Sequence, residues 1–596
     1  MHLTRLLPLL FLWGCSGAGP VPAGTAAAQS EARHWPHGGM VSVANPLAAD
    51  AAAEVLARGG HAVDAAIAAH AVLGLVEPQS SGLGGGAFML VYDRVTGAMH
   101  AYDGRETAPA GARADMFLVD GAEMGFLEAW QSGMAVGVPG VVALYDLAHR
   151  KHGKLDLGED VARAIQLATE GFTVSPRLAG FLEQVPRFTR LEENPDTAAY
   201  FYPNGRALTA GARLKNPDYA RTLSRVIAEG PAAFYGGDIA TAMVKAARAE
   251  PNPGTLSLED LTGYRVAERK ALCALSKGQR ICTMPPPSSG LAEIMILGLY
   301  DRLTADRVAS GRPLTEGPHA PGSFAAAVSL PAFVDAQRLA YADRDHYVAD
   351  GDMVDVPVGA LLDAAYLDVR ARERFPAQAT PVPGDPGAVV NGMPIIDRWG
   401  QDNTDEAAGT THLSIVDTYG NAVAMTATVE AVFGSSRWAA GFLLNNQMTD
   451  FARTPTLDGR PVANAVAPGK RPRSSMSPVI VLDESGELLL VSGSPGGNSI
   501  IAYVAKTLVG VLRGGVSVQE AVAAPNIVAR GAVVRVESGV AGGAAAVTAL
   551  TALGYPVQAR EGENSGLHVI LRGPDGLEGA ADPRREGRVI PVAPPR

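Results

Sequence analysis

Two segments near the start of the chain repeat apolar residues at helical spacing. The first begins at Asn45 and Pro46, where Asn suits the N-cap and Pro suits the first helical position, and it stops at a Gly-Gly pair. The second, residues 61–75, consists almost entirely of Ala, Val, Ile and Leu. Because a helix that is apolar on every side lies in a core, the pattern predicts a helix over 46–58 and a buried helix over 61–75.

Strand-like alternation of apolar and polar positions dominates the chain after residue 409. A helix-rich region of about 110–375 precedes it, and residues 376–405, rich in Pro, Gly and Asp, predict an exposed linker or loop. The chain therefore changes from a larger helix-rich part to a smaller strand-led part near residue 409. The predicted strands are 87–93, 97–103, 411–417, 421–430, 478–483 and 487–492, and the predicted helices of the second part are 499–513 and 517–524.

The first fifteen residues, MHLTRLLPLLFLWGC, have the pattern of an export signal. Arg5 precedes an apolar run that is too short to span a bilayer, which takes ~20 apolar residues. The end of the segment resembles a bacterial lipoprotein signal, in which Cys15 becomes the lipidated first residue; an ordinary signal cleaved near the Ala-rich stretch 23–28 is the alternative. We therefore expect 1–15 to be a signal peptide, 16–34 to be a flexible tether, and the protein to be exported to the periplasm, where Cys15 would anchor it to a membrane in the lipoprotein case.

The composition excludes some classes of function and says less about the fold. The length of 596 residues corresponds to roughly four average domains, and 47% apolar residues are ordinary for a globular core. The net charge of −11 predicts no nucleic-acid partner, since that affinity depends on basic surface. Three cysteines are too few for a Cys-rich zinc module or a scaffold built from disulfides.

Two of the cysteines flank a predicted turn. Cys273 and Cys282 lie on either side of ALSKGQRI, with the turn-prone pair Lys277-Gly278 in its middle. Two short strands joined there would bring the thiols close enough to bridge, and an exported protein meets an oxidising compartment. A catalytic thiol is the alternative, but no His is nearby in the sequence. The spacing therefore predicts a structural disulfide.

The junction near residue 409 carries the candidate chemistry. A turn at TYG joins the strands on either side of it, and with that centre Thr410 faces Thr428. Because side chains alternate along a strand, Thr426, Thr428 and Glu430 share one face beside Thr410. An ordinary cross-strand Thr pair is the simpler interpretation. Gly409 favours a reactive Thr410, because glycine tolerates strain that exposes its carbonyl to the following hydroxyl.

Short motifs follow one another along nearly the whole chain after the signal. In chain order they are NPLAAD, SSGLGGGAFML, DGRETAPA, GVPG, MPPPSSG, TTHLSIVD, GNAVAMTATVE, LLNNQMTDF, KRPRSSMSP, GSPGG and AADPRREG. This ordered set resembles the γ-glutamyltransferase family, a branch of the N-terminal-nucleophile hydrolases. The resemblance implies an enzyme of the α/β (α+β) class with a four-layer αββα sandwich, in which two sheets lie between helical layers.

The resemblance also implies that the precursor cleaves itself between Gly409 and Thr410. Residues 35–409 would then form a large subunit and 410–596 a small catalytic subunit, and the two would remain a heterodimer. The new α-amine of Thr410, with a reference pKa of about 7.7–8.0, would act as base for the hydroxyl of the same residue. No metal ion and no organic cofactor is implied.

Further residues match positions that act on the substrate in the family. Thr428 matches the Thr that hydrogen-bonds the nucleophile, and the N–H groups of Gly496 and Gly497 match the donors to the oxyanion. Arg105 matches the Arg that binds the donor α-carboxylate, for which a guanidinium fork is suited. Ser474 and Ser475 match further carboxylate contacts, and Glu430, Gln447 and Asp450 match the positions around the donor α-amine.

One loop departs from the family pattern. Members with a lid carry a longer loop with an aromatic residue between the NNQM…DF motif and KRP, whereas here the loop ARTPTLDGRPVANAVAPG contains no Tyr, Phe or Trp. This predicts a truncated lid and a more open cleft. An open cleft would admit larger donors, or water in place of an acceptor, so we expect hydrolysis to be at least as strong as transfer.

The predicted activity is cleavage of the γ-glutamyl amide of glutathione and related donors through a γ-glutamyl-Thr acyl-enzyme. Water, an amino acid or a dipeptide would accept the acyl group. One alternative keeps the fold but changes the donor to a glutaryl β-lactam or a polyglutamate. An acylase of that kind needs no α-amine site, so Glu430 and Asp450 argue against it. The other alternative is an exported binding protein that does not process itself.

Overall fold

The computed structural model describes residues 35–315, 323–373, 375–402 and 404–594. The predicted signal peptide over 1–15, the tether over 16–34 and Cys15 lie outside the described residues. The described chain forms one compact unit. The expectation of four domains from length alone is therefore wrong.

The first of two large sheets has seven strands and is antiparallel throughout. Its two central strands come from the start of the strand-led part, and they pair with strands from the beginning of the chain on both sides. In chain order its strands are β1 (Gly39–Val43), β2 (Gly86–Asp93), β3 (Ala98–Gly104), β4 (Ala267–Lys270), β7 (Gly409–Val416), β8 (Ala422–Glu430) and β13 (Arg588–Val592), and across the sheet they run β13-β1-β7-β8-β2-β3-β4.

The second sheet has six antiparallel strands and packs face to face on the first. It too combines strands from both parts of the chain, since β6 pairs with β9. Its strands are β5 (Leu272–Ser276), β6 (Gln279–Thr283), β9 (Val479–Leu482), β10 (Leu488–Gly493), β11 (His568–Gly573) and β12 (Gly576–Ala581), in the order β12-β11-β10-β9-β6-β5.

Helices cover the outer faces of both sheets, and their ends follow the predicted caps. The Asn45 side chain accepts a hydrogen bond from Leu47 N–H, and Asp64 completes a capping box with His61. No helix in the described ranges is long and apolar enough to cross a membrane. The helices of eight or more residues are α1 (Pro46–Ala57), α2 (Ala62–Val76), α3 (Val141–His152), α4 (Leu157–Glu170), α5 (Pro176–Gln184), α6 (Pro217–Glu229), α7 (Gly237–Ala247), α8 (Gly290–Ala309), α9 (Leu330–Tyr347), α10 (Ala364–Arg372), α11 (Ile500–Leu512) and α12 (Gly543–Ala552).

Shorter elements connect these layers. The shorter α-helices are Phe126–Trp130, Pro195–Phe201, Ala232–Tyr235, Leu258–Gly263, Phe324–Ala327, Val358–Leu361, Pro386–Asn391 and Val518–Ala523. The strands of the small sheets are Leu118–Val119, Ala122–Glu123, Phe172–Thr173, Arg213–Leu214, Trp438–Ala439, Phe442–Leu443, Thr456–Leu457, Arg460–Pro461, Ile527–Val528, Val534–Glu537 and Val557–Arg560.

Strand alternation divides the apolar residues between two cores. On β8, Val423 and Met425 pack with α1 and α2, whereas Ala422 and Ala424 face the second sheet. The second core continues through β9 and β10 to the helical layer of α8, α9 and α11. The order helix, sheet, sheet, helix confirms the predicted four-layer αββα sandwich.

The predicted strands and helices of the second part agree with the structure to within two residues. Most of the described residues of 376–405 form a loop, as predicted, but the segment is not exposed throughout. It contains the helix Pro386–Asn391, and Asp402 is buried against the Arg473 guanidinium at 2.9 Å. Parts of the loop backbone pack into the protein without an apolar face that a periodic pattern could reveal.

The two cysteines occupy opposite positions on neighbouring strands. Cys273 on β5 pairs directly with Cys282 on β6, and a disulfide joins them. The turn between the strands contains Lys277 and Gly278, both with positive φ, as the predicted turn requires. The structure therefore agrees with the predicted bridge, which leaves neither thiol free for catalysis.

Candidate active site

The candidate nucleophile lies at the start of the central strand β7. Thr410 pairs with Thr428 on β8, which is the register that the sequence predicts. Between Gly409 and Thr410 the register shifts by one residue, so that Gly409 pairs with Glu430. Thr410 is only 3% exposed. Because of this shift, the Gly409 carbonyl accepts a hydrogen bond from the Thr428 hydroxyl instead of joining the regular backbone hydrogen bonds of the sheet.

Three hydrogen bonds connect the two threonines to the peptide bond before Thr410. The Thr428 hydroxyl donates to the Gly409 carbonyl oxygen at 2.7 Å, and Glu430 N–H donates to Thr428 Oγ1 at 2.8 Å. Thr410 Oγ1 lies 3.2 Å from Thr428 Oγ1. Since a hydroxyl has one proton and that of Thr428 goes to Gly409, Thr410 is the donor between the two hydroxyls. The network polarises the Gly409 carbonyl and aligns the Thr410 hydroxyl.

Two glycines allow the chain to pass close to itself here. A Cβ on Gly409 would lie 2.3 Å from the Ala431 carbonyl oxygen. A Cβ on Gly497 would lie 2.4 Å from the Glu406 carbonyl oxygen, and Gly497 has a φ of +57° that favours glycine. Gly496, with a φ of +140°, precedes it at the start of the turn into α11. The predicted oxyanion loop therefore contacts the segment that ends at Gly409.

A buried histidine next to Thr410 on the same face of β7 has both ring nitrogens hydrogen-bonded to side-chain hydroxyls. His412 Nδ1 lies 2.8 Å from Thr426 Oγ1, and its Nε2 lies 3.1 Å from Ser414 Oγ. Burial lowers the pKa of His412 well below 6.5, and nearby His568 lowers it further. The ring is therefore neutral and forms part of a polar layer between the sheets, where it does not contact the Thr410 hydroxyl.

The residues predicted around the donor α-amine are brought together by the short 3-10 helix Gln447–Asp450. Asp450 Oδ2 accepts from Gln447 Nε2 at 2.6 Å and from Arg105 Nη2 at 2.5 Å. Burial raises the pKa of Asp450 to about 6, although Arg105 acts in the opposite direction. Oδ1 of Asp450 has no hydrogen-bond partner among the described residues. This oxygen is therefore available to a cationic ligand.

Glu430 is held in an unusual backbone conformation at the end of β8. Its φ of +79° is rare for a residue with a Cβ. Its carboxylate accepts from Ala407 N–H at 2.7 Å and from the Asn446 side chain. Burial, followed by the charge of Asp450, raises the pKa of Glu430 well above its usual value. The two carboxyl groups therefore share one negative charge more readily than they carry two.

The predicted carboxylate site contains a group from the chain itself. Ser475 N–H donates to Glu406 Oε2 at 2.8 Å, and Arg344 contacts both the Glu406 carboxylate and, at 2.8 Å, Ser475 Oγ. Ser474 Oγ accepts from Met476 N–H at 3.1 Å. Glu406 precedes the Gly409–Thr410 bond by only three residues. In the intact chain, a carboxylate of the protein itself therefore fills the position beside Ser475.

Arg105 has less free capacity than the sequence predicts. Besides Asp450, its guanidinium donates to the Arg473 carbonyl at 2.9 Å and to the Pro472 carbonyl at 3.3 Å. These contacts attach it to the loop that carries Ser474 and Ser475. Arg105 therefore links the amine side of the site to the carboxylate side.

Sequence reasoning missed several residues that the structure adds to the site. Arg344 lies in the last turn of α9, a helix that is buried along nearly its whole length, and charges in a buried helix are a usable signal. Arg585, from the motif AADPRREG, donates to the Thr410 carbonyl at 2.9 Å. Asn564 donates to the Ala408 carbonyl at 3.2 Å. Neither of the last two contacts has a local signal, because each depends on chain folding over more than 150 residues.

A threonine at the head of a central strand, after a glycine and inside an αββα sandwich, defines the class of N-terminal-nucleophile hydrolases. The family model described as Gamma-glutamyltranspeptidase matches residues 48–592. The chain therefore belongs to the γ-glutamyltranspeptidase family and is an enzyme of the γ-glutamyltransferase type.

Curated relatives cover nearly the whole chain. The glutathione hydrolase proenzyme of Escherichia coli (strain K12) is 36% identical over 557 residues, which are 92% of this chain and 90% of the relative. The acylase ACY 1 proenzyme of Pseudomonas sp. (strain V22) is 32% identical over 570 residues, which are 93% and 94% of the two chains. Both relatives are described as proenzymes.

A solved structure supports the same fold. The crystal structure of cephalosporin acylase from Bacillus halodurans matches with a TM-score of 0.77 and 25% identity, over 95% of this chain and 98% of that chain. The sandwich is thus shared by relatives that are described by different donors.

Proposed function

We propose that the protein is a self-processing γ-glutamyl hydrolase and transferase that acts on glutathione and similar γ-glutamyl compounds. The hydrogen-bonded series Thr410, Thr428 and Gly409 carries this proposal, since it prepares the bond before Thr410 for cleavage. The name of the Escherichia coli relative supports glutathione as donor.

This geometry supports self-cleavage. Thr410 Oγ adds to the Gly409 carbonyl carbon and gives its proton to Thr428 Oγ1, which passes a proton to the Thr410 nitrogen as collapse breaks the C–N bond. The products of this step are an ester and a free Thr410 amine. Water then hydrolyses the ester to a Gly409 carboxylate and a free Thr410 hydroxyl. The products are a large subunit over 35–409 and a small subunit over 410–596.

The same hydroxyl then attacks the donor. The new α-amine accepts the Thr410 proton, because its pKa of about 7.7–8.0 leaves it partly unprotonated at neutral pH. The γ-carbonyl becomes tetrahedral, and N–H groups of Gly496 and Gly497 would bind its oxyanion, a donor of this kind being worth about 2.7–4 kcal/mol. The leaving amine takes the proton, and water or an amino-acid or dipeptide acceptor releases the γ-glutamyl group.

Charge complementarity supports a donor with both an α-amine and an α-carboxylate. Asp450, with its free oxygen, and Glu430 would bind the ammonium group. Arg105, Ser474 and Ser475 would bind the carboxylate once Glu406 leaves with the cut end of the large subunit. These contacts require one ammonium group and one carboxylate of the donor, and a γ-glutamyl group carries both.

The acylase relatives favour a second candidate, a hydrolase of a glutaryl or polyglutamate donor. A glutaryl donor lacks the α-amine, so it would leave Asp450 and Glu430 without a cation. Turnover of matched γ-glutamyl and glutaryl anilides by one preparation distinguishes the two donors. Faster turnover of the glutaryl compound would contradict the γ-glutamyl assignment.

The primary experiment combines mass spectrometry of purified protein with turnover of a γ-glutamyl anilide. We expect two chains, one beginning at Thr410, and release of the aniline. Thr410→Ala should remain one chain and be inactive. A wild-type protein that stays uncut under the same conditions would instead support an exported binding protein.

We also propose that hydrolysis is at least as strong as transfer. The loop that replaces a lid forms a hairpin of Thr456–Leu457 and Arg460–Pro461 with an exposed tip and no aromatic side chain. Products should therefore be measured with and without an acceptor dipeptide. Dominant transfer at low acceptor concentration would contradict this proposal.

Export and lipid attachment are proposed from the sequence of residues 1–34. Labelling of cells with a fatty-acid analogue should mark the wild-type protein in the membrane fraction. Cys15→Ala should lose the label. An unlabelled wild-type protein in the periplasmic fraction would instead favour the ordinary signal cleaved near 23–28.

A further inference from the structure

Three side chains that the proposed reaction does not use converge where α2, α3 and α4 meet. Asp64 lies in the first turn of α2, His149 in the last turn of α3, and Asp160 in the first turn of α4. One ligand atom from each lies within 4.8 Å of the other two. His149 Nε2 is 3.8 Å from Asp64 Oδ1 and 3.6 Å from Asp160 Oδ2.

The carboxylates at this cluster are buried without matching donors. Neither oxygen of Asp160 has a hydrogen-bond partner among the described residues, and its side chain is 0% exposed. Asp64 Oδ2 accepts from three backbone N–H groups, of His61, Lys154 and Leu155, whereas its Oδ1, which faces the cluster, accepts none. A buried carboxylate without a partner is costly unless a cation or a proton compensates it.

The surrounding backbone holds the histidine close to these oxygens. His149 Nε2 lies 2.8 Å from the Leu155 carbonyl oxygen, and since a carbonyl only accepts, this contact is a hydrogen bond donated by Nε2–H. A Cβ on Gly153 would lie 2.5 Å from the His149 ring, so the absence of a side chain at 153 permits this position. The ring is therefore fixed between the end of α3 and the start of α4.

We propose that Asp64, His149 and Asp160 form a binding site for a divalent transition-metal ion such as Zn²⁺. One imidazole nitrogen and two carboxylate oxygens are a donor set that suits zinc. Ligand atoms about 2.0–2.2 Å from a tetrahedral ion lie about 3.4 Å from one another, close to the separations between the His149 nitrogen and the two carboxylates. The family resemblance implies no metal ion, and in the sequence Asp64 lies far from His149 and Asp160.

Metal binding is balanced in protons and charge. The ring proton that Nε2 donates to the Leu155 carbonyl moves to Nδ1, the ion takes the freed Nε2 lone pair, and a water completes four ligands. Burial, with Asp64 next, raises the pKa of Asp160 to about 8, so the ion also displaces a proton there. Two carboxylates and a neutral imidazole then neutralise a doubly charged ion.

The role of this site is to join helix ends. Its ligands come from three helices of the layer that covers the first sheet, and none of them contacts Thr410, Asp450 or Ser475 in the described structure. The ion would therefore stabilise the fold without taking part in acyl transfer.

The test uses processed, tag-free protein that has been dialysed against a chelator. Calorimetric titration with Zn²⁺ should give one equivalent per chain, and Zn²⁺ should raise the melting temperature. Asp160→Asn should weaken Zn²⁺ binding more than about 100-fold, because even loss of an outer-shell partner costs about 10–100-fold. Co²⁺ should give the visible absorption of a tetrahedral site in the wild type only.

Glu159→Gln is the matched control, since it removes one negative charge from the neighbouring, half-exposed position on α4. It should bind Zn²⁺ like the wild type. Asp160→Asn should fold, because it removes an uncompensated buried carboxyl, and its metal-free melting temperature should equal or exceed that of the wild type. A wild type that binds no Zn²⁺, or an Asp160→Asn variant that binds it equally well, would overturn the proposal.

Discussion

At the scale of single residues, the Thr428 hydroxyl connects the proposed nucleophile to the proposed cleavage site. It donates to the Gly409 carbonyl and accepts from both Thr410 and the Glu430 backbone. No other group in the described site contacts both the nucleophile and the bond to be cut. Its removal should therefore affect processing more than folding.

Thr428→Val should slow self-cleavage about 10²–10³-fold, because it removes one hydrogen bond to the carbonyl that becomes an oxyanion. The shape of the side chain is retained, so the precursor should still fold. The rate is measured from the two bands of a denaturing gel over time. Thr428→Ser keeps the hydroxyl and should stay within about tenfold of the wild type. Equal rates for the Val and Ser variants would contradict this role.

Asp450 makes donor binding depend on pH. Burial raises the pKa of Asp450 to about 6 in the uncut chain, where Arg105 lowers it and Glu406 raises it further. Because Glu406 would leave with the cut end, the pKa of Asp450 in the processed enzyme should lie at or below that value. Binding of an ammonium group requires the ionised form, so the inhibition constant of L-glutamate should rise as pH falls below about 6. Competition assays on processed enzyme between pH 5 and 8 measure this.

Glutarate is the control for Asp450, because it has no ammonium group. Its inhibition should not weaken in the same pH range. Asp450→Asn should bind L-glutamate weakly at every pH, with no step near pH 6. A step of the same size for both ligands would show that another group is titrating.

At the scale of elements, the start of β7 departs from a regular strand. Gly409 pairs with Glu430 across a register shift, and the space for its Cβ is taken by carbonyl oxygens of Ala431 and Glu430 at 2.3 and 2.5 Å. The proposed cleavage site, the Gly409–Thr410 bond, is therefore held by close backbone packing as well as by Thr428.

Gly409→Ala should slow processing, because the added methyl group displaces β7 from Ala431 and moves the carbonyl away from Thr428. We expect a loss of about tenfold or more, since a displacement of about 1 Å can cost about 10²-fold. The same gel assay measures it. Gly180→Ala, at a helical position with open space around the Cβ, is the control and should process normally. Normal processing of both variants would show that β7 can adjust.

At the scale of the whole molecule, the two parts of the chain interleave in both sheets. In the first sheet β1 pairs with β7 and β2 pairs with β8, and in the second sheet β6 pairs with β9. Each of these pairs joins a strand from before the Gly409–Thr410 bond to one from after it. Cleavage of that bond therefore leaves these three strand pairs in place.

The processed protein should remain one particle with both subunits. Size-exclusion chromatography with light scattering should give the same mass per heterodimer for wild type and uncut Thr410→Ala. Both subunits should unfold in one transition, because neither keeps a complete sheet alone. Separation of the subunits without denaturant would contradict the interleaved sheets.

Much of this organisation could be predicted because it depends on local sequence patterns. The start of α1 after Asn45 follows from capping, and the register of Thr410 with Thr428 follows from side-chain alternation. Both depend on neighbouring residues. The expectation that 376–405 is an exposed loop held only in part, for the opposite reason. Its contacts, such as that of Asp402 with Arg473, are made between distant parts of the chain and leave no period in the sequence.

The sequence by itself determined the elements, the family and the candidate Gly409–Thr410 cleavage site, since each is encoded in short stretches of ordered residues. Only the tertiary structure decided that Glu406 lies beside Ser475 and Arg344, and that Asp64, His149 and Asp160 converge. Burial and the meeting of distant charges are set by how the layers pack. A carboxylate's partner, and therefore its pKa and its ligand, is a property of the folded chain.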